Sequence, residues 1–102
     1  MAADGRQELW TQGGTACGYR EGDALWTYDG RHLGRFSADE VYAASGWYLG
    51  ELRRGRLASA DMKRLQRREA FAPAPARVAI APPGRRMPLA AEPGYEDFLG
   101  PV

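Results

Sequence analysis

Between Leu25 and Leu52 the chain states one pattern of apolar and polar positions twice, 16 residues apart: Leu25-Trp26 returns as Val41-Tyr42, Asp29-Gly30 as Ser45-Gly46, and Leu33-Gly34 as Leu49-Gly50. The same register extends back to Leu9-Trp10, Gly13-Gly14 and Cys17-Gly18, and forward to Leu57-Ala58, Asp61-Met62 and Leu65-Gln66. Four units follow, at 9–24, 25–40, 41–56 and 57 to about 72, with the glycines lost from the fourth.

Asp-Gly flanked by β-formers is a hairpin signal. Gly14, Gly30 and Gly46 are therefore expected in type I′ turns, which need positive φ at both central residues. A two-residue loop at 29–30 places Trp26 opposite Leu33, Tyr42 opposite Leu49 and Trp10 opposite Cys17. On the other face Leu25 meets Gly34 and Val41 meets Gly50, with Gly18 in the same register. A glycine beside a large side chain signals a bend or the close approach of another element. Since one hairpin is marginal alone, the units must share a buried face.

The expected fold is all-β: four consecutive β-hairpin repeats around a pseudo-four-fold axis, with strands near 7–12, 15–21, 24–28, 31–37, 40–44, 47–53, 55–60 and 63–68. Both faces of this ribbon carry apolar residues, so one needs a cover, from the tail or from a second chain. The fourth unit reads two ways. Taken alone, 59–71 looks helical, with Ser59 as N-cap, Asp61 in the first turn, and Met62 and Leu65. The register instead places Leu57 and Leu65 in a fourth hairpin.

All seven prolines follow residue 72, many alternating with alanine. That composition favours extended or polyproline II backbone, with a short strand at Arg77–Ile80. The division expected is a β domain at 7–70 and an extended tail at 71–102, whose acidic, aromatic tip at 94–99 is suited to docking through Tyr95 and Phe98.

The aromatic, Asp/Ser-Gly, Leu-Gly pattern, carried by Leu25-Trp26-Thr27-Tyr28-Asp29-Gly30-Arg31-His32-Leu33-Gly34-Arg35-Phe36 and its copies, resembles the bacterial 4-fold β-flower family over about 50 to 60 residues. The resemblance implies four hairpins about a pseudo-four-fold axis, often followed by a Pro/Arg-rich tail. It implies no activity.

Fourteen basic residues against thirteen acidic give a net charge of +1, so no global field points to nucleic acid or an anionic membrane. One cysteine excludes an intrachain disulfide and fits a reducing compartment. The absence of an apolar leader or a long apolar run leads to the expectation of a soluble, cytoplasmic protein with no membrane contact. His32 is the only histidine, without metal-ligand neighbours, and it is expected on the face opposite Cys17. Asp39-Glu40 and Glu96-Asp97 read as solvated turn or tail residues. No catalytic residue, metal or cofactor is expected.

Charge is nevertheless uneven. Arg53, Arg54, Arg56, Lys63, Arg64, Arg67 and Arg68 face three acidic residues within 51–70, a local excess of four positive charges. Arg85-Arg86 adds a second cluster. The patch could receive the acidic tip, or could bind single-stranded nucleic acid with help from an exposed aromatic ring. The leading expectation is a non-enzymatic β module acting by binding or self-association, as a homo-oligomer or with a protein partner. Nucleic-acid binding through 51–70 is the alternative.

Overall fold

The computed structural model describes residues 6–98. Among them, eight strands form one antiparallel sheet in sequence order: β1 (Arg6–Trp10), β2 (Ala16–Glu21), β3 (Ala24–Trp26), β4 (His32–Ser37), β5 (Glu40–Ala43), β6 (Tyr48–Arg53), β7 (Arg56–Ala60) and β8 (Tyr95–Asp97). The sheet curls into a half-barrel, bringing Thr11 beside Leu57 in a parallel bridge. The chain is all-β, with a single 3₁₀ turn at Asp61–Lys63 among the described residues.

The inner face is built at the 16-residue spacing. Leu9, Leu25, Val41 and Leu57 have 0% exposure, and Phe36 and Phe98 pack with them. Cys17, Leu33, Leu49 and Leu52 border this cluster. Gly18, Gly34 and Gly50 allow neighbouring strands to approach. A Cβ on each would lie 2.4 Å from Trp26 O, 2.7 Å from Tyr42 O and 2.7 Å from Ala58 O respectively. The expected pairs Leu25–Gly34 and Val41–Gly50 are present.

The aromatic register differs from the expected one. Trp10 faces Ala16, Trp26 faces His32 and Tyr42 faces Tyr48, each beside a bulge. The cause is the turn. Thr27 N–H donates to Arg31 O and Gly30 N–H to Thr27 O, and positive φ falls on Gly30 (95°) and not on Asp29. This is the longer hairpin loop that ends in a bulged glycine, rather than type I′. The loops ending in Gly14 and Gly46 have the same hydrogen bonds, Gly14 N–H to Thr11 O and Gly46 N–H to Ala43 O. The tight two-residue loops lie instead at 22–23, 38–39 and 54–55, where Gly22, Ala38 and Arg54 take positive φ.

The fourth unit departs further. No strand forms over 63–68, where the only pairing is an isolated bridge from Arg67 to Trp47. The helical alternative is limited to the three-residue turn, with Met62 95% and Leu65 84% exposed. Ser59 caps nothing; it lies in β7 and its hydroxyl donates to Leu49 O. The strand that pairs with β7 comes from the far end of the chain, as Ala58, Ser59 and Ala60 face Asp97, Glu96 and Tyr95. Without a glycine at 62 the chain lacks the turn the earlier units use, so it leaves the sheet and β8 fills the position.

Candidate functional site

Between β7 and β8 the chain runs as a belt along the three glycine turns, in reverse order. Arg68 N–H donates to Gly46 O, Arg77 N–H to Gly30 O and Arg86 N–H to Gly14 O, at 2.8, 2.8 and 2.9 Å. Three residues after each arginine a second rung forms, from Phe71 to Ala44 O, Ile80 to Tyr28 O and Leu89 to Gln12 O. No strand forms at Arg77–Ile80, since both N–H groups are spent on turn carbonyls that the neighbouring segment does not continue.

Each arginine head lies over the aromatic residue of its hairpin. Guanidinium carbons sit 3.8 Å from the Trp10 centroid (Arg86), 3.7 Å from Trp26 (Arg77) and 5.4 Å from Tyr42 (Arg68). A cation over an aromatic face is attracted by the ring quadrupole, and the flat guanidinium also stacks. Trp10, Trp26 and Tyr42 are 8%, 3% and 3% exposed, so the belt is the cover for the outer apolar face. Trp10 Nε1 also donates to Gly84 O at 2.8 Å. His32 stacks on Trp26, and its Nδ1 accepts the Ala74 N–H at 2.8 Å. Burial is the main cause that lowers the His32 pKa, assisted by Arg35 and Arg77, with the Gly34 backbone and Asp23 acting against it.

This contact gives Gly14, Gly30 and Gly46 a second reason to be glycine. A Cβ there would stand 2.0, 2.0 and 2.3 Å from the carbonyl oxygens of Arg86, Arg77 and Arg68. By contrast nothing lies within 4 Å of a Cβ on Gly22.

The belt was legible in the sequence as a period of nine. Arg68, Arg77 and Arg86 recur at that interval, as do Phe71, Ile80 and Leu89. Attention to proline and alanine alone conceals it.

The basic residues of 51–70 do not form one open patch. Arg53 pairs with Glu92 and lies 4.6 Å from the Tyr95 centroid, holding the Glu92 carboxyl below its ordinary range. Arg54 donates to Ala90 O, and buried Arg56 donates to Thr11 O and Met87 O. Arg64 pairs with Glu96 at 2.8 Å. Lys63 bridges Glu40 and Glu51 at 2.7 and 2.8 Å, and its hydrogen bond is the first cause lowering the Glu40 pKa. Arg67 covers the exposed Trp47 ring at 4.4 Å. Arg53, Arg54, Arg56 and Arg64 thus hold the returning tail.

The tip is docked as well. Tyr95 packs against Tyr42, Tyr48 and Ala60, while Phe98 is 4% exposed in the main core. The Asp97 carboxylate accepts the N–H groups of Gln12 and Gly13 at 2.7 and 2.9 Å. Of the acidic residues expected to be solvated, Glu40, Glu96 and Asp97 are therefore engaged. Leu99 lies outside the described residues.

A cleft of about 460 Å³ opens between the first two turns, with Thr11, Cys17, Thr27, Asp29 and Asp97 on its walls. Burial, followed by the charge of Asp97, pushes the Cys17 thiol up to about 12. It stays protonated at neutral pH, a poor nucleophile and ligand. Among the described residues no group of three or more His, Cys, Asp or Glu could hold a metal ion, and no helix is long and apolar enough to cross a membrane. No family model, curated protein or solved structure matches the chain.

Proposed function

We propose that this chain is a non-enzymatic β module related to the flower type, with three hairpin repeats and a returning strand in the fourth position, acting by binding, first to copies of itself. The exposed apolar group at the exit from β7 carries the reading. Trp47 (41% exposed) bridges to Arg67 beside Leu65 (84%), and Met62 (95%) lies one turn upstream. The belt and tip cover the rest of the apolar sheet, and although the belt itself exposes Val78 (87%) and Met87 (82%), three of the five exposed large apolar residues among the described ones fall near the exit from β7. Such a cluster is the type of surface that proteins use to meet each other. The protonated Cys17 and the stacked His32, whose Nδ1 already accepts the Ala74 N–H, support a binding role over nucleophilic chemistry, because they do not form a nucleophile and base pair.

Light scattering over a concentration series tests self-association. The average mass should rise with concentration, and Trp47→Glu with Leu65→Glu should hold it at the monomer value without lowering the melt. A mass that stays monomeric at millimolar concentration would remove the reading.

Nucleic-acid binding keeps one favourable observation, the exposed Trp47 ring beside Arg67, which is the arrangement of a stacking platform. Much of the surrounding charge is already neutralised by the chain itself. Binding of a short oligonucleotide that weakens steeply with salt would support this reading; its absence at low salt would end it.

A further inference from the structure

The belt can be read as a ligand lying in a receptor. Each of the turns ending in Gly14, Gly30 and Gly46 presents two carbonyl acceptors, separated by one residue, next to an aromatic ring. The segment seated on each has the form Arg-x-x-apolar: Arg86 to Leu89, Arg77 to Ile80, and Arg68 to Phe71. The number of repeats equals the number of slots, and the fourth position, with Ala58 in place of the aromatic residue and Met62 in place of the glycine, takes no repeat. Slot and segment are therefore matched in chemistry, in spacing and in number.

We infer that these turns constitute a reader of extended Arg-x-x-apolar segments, and that its occupant in trans is the tail of a second copy of this chain. The reading rests on self-association as the mode of action and adds a second contact to the one at Trp47 and Leu65. The belt suits exchange because its backbone is bonded to the turns and forms no strand of its own over 66–94. Its connection to β7 is a short 3₁₀ turn that Lys63 ties to Glu40 and Glu51, so the pivot for exchange falls just beyond it, at 64–65, where Leu65 is exposed. An exchanged tail makes the same hydrogen bonds and cation–π contacts as the tail in place. The balance between the two forms is then set by hinge strain and by protein concentration against the effective concentration of the attached tail.

The test uses the full chain and a labelled synthetic peptide of residues 66–98. Fluorescence anisotropy should show the peptide binding at least tenfold more tightly to a full-length Arg77→Ser/Arg86→Ser variant, whose own belt is loosened, than to the unaltered protein. A peptide carrying the same two changes should not bind. Circular dichroism establishes that the sheet is intact, and Arg77→Ser alone replaces the double variant if it is not. Native mass spectrometry of mixed isotopically labelled and unlabelled protein should show mixed dimers, fewer in the variant because both tails carry the weakened repeats. A folded variant that ignores the unaltered peptide, or binds the altered one equally, overturns the inference. Dimers that persist undiminished in the variant yet disappear with Trp47→Glu would also overturn it, while leaving self-association standing.

Discussion

Arg77 holds Trp26 from two sides of one contact: its guanidinium lies 3.7 Å from the Trp26 ring centroid, and its backbone N–H donates to Gly30 O in the turn that follows Trp26. Glu21 then fixes the head of the arginine with an ion pair at 2.8 Å. The side chain is 41% exposed, which screens that pair and limits its contribution.

Removing the charge of Arg77 separates these effects. Arg77→Met keeps the apolar stem over the ring and should cost about 0.5–1 kcal/mol, the value of a partly exposed cation–π contact. Arg77→Ala should cost more, because the stem also covers Trp26. Urea unfolding checks both. Equal losses would show that the stem contributes nothing.

The turn glycines separate backbone conformation from close approach. Gly22→Ala meets only the positive φ of an open turn and should cost about 1–2 kcal/mol. Gly30→Ala meets the same kind of conformational cost, and its Cβ would lie 2.0 Å from Arg77 O. The belt must lift there, losing two hydrogen bonds at roughly 0.5–1.5 kcal/mol each beyond the conformational cost. Faster tryptic cleavage after Arg77 should accompany that loss in Gly30→Ala and not in Gly22→Ala. Ala38, with φ 54°, gives the opposite sign, since Ala38→Gly should raise stability by about 1 kcal/mol.

The 16-residue spacing made the inner core legible: Leu9, Leu25, Val41 and Leu57 are the fully buried large side chains that it marks. The spacing also marked Gly14, Gly30 and Gly46, although it did not reveal that a belt crosses them. Turn type is not specified by the sequence, because Asp-Gly suits both a two-residue loop and a longer loop with a bulged glycine, and the choice depends on which residue takes positive φ. The eighth strand was illegible for a different reason. Tyr95-Glu96-Asp97 has no repeat partner, and its place beside β7 depends on a contact across 34 or more residues. The basic run at 51–70 looked like one patch because sequence distance hides the acidic and carbonyl groups that the tail returns to it.

His32 gives the fold a pH dependence near neutrality. Its Nδ1 must be unprotonated to accept the Ala74 N–H, and burial lowers its pKa from the ordinary 6.5. The unfolded chain therefore takes up a proton first as pH falls. Stability from this contact is complete above about 6.5 and is lost as pH descends through the lower folded value. Glu40 and Glu92, both depressed from 4.5, act in a separate and more acidic window. Melting temperature should decline as pH falls below about 6.5, and His32→Gln should flatten that decline. An unchanged slope in the variant would assign it to other groups.

The return of the chain to β7 should be as important as any of the first three hairpins. Phe98 is 4% exposed among Leu9, Leu25, Phe36, Val41 and Leu57, so Phe98→Ala leaves a cavity in the main core and should cost about 3–5 kcal/mol. Asp97 anchors the same strand differently, with its two carboxylate oxygens accepting from Gln12 and Gly13. Asp97→Asn turns one acceptor into a donor that faces an N–H, and should cost about 1.5–3 kcal/mol as a lost charge-assisted bond. The two changes fall on adjacent residues, Asp97 at the end of β8 and Phe98 directly after it. Once Phe98→Ala has loosened β8, Asp97→Asn has less left to remove, so the double variant should lose less than the sum. Urea unfolding of the two single variants and the double variant measures that coupling. Strict additivity would mean that Phe98 and Asp97 are held independently, and that β8 is not the element locking the first turn to the last strand.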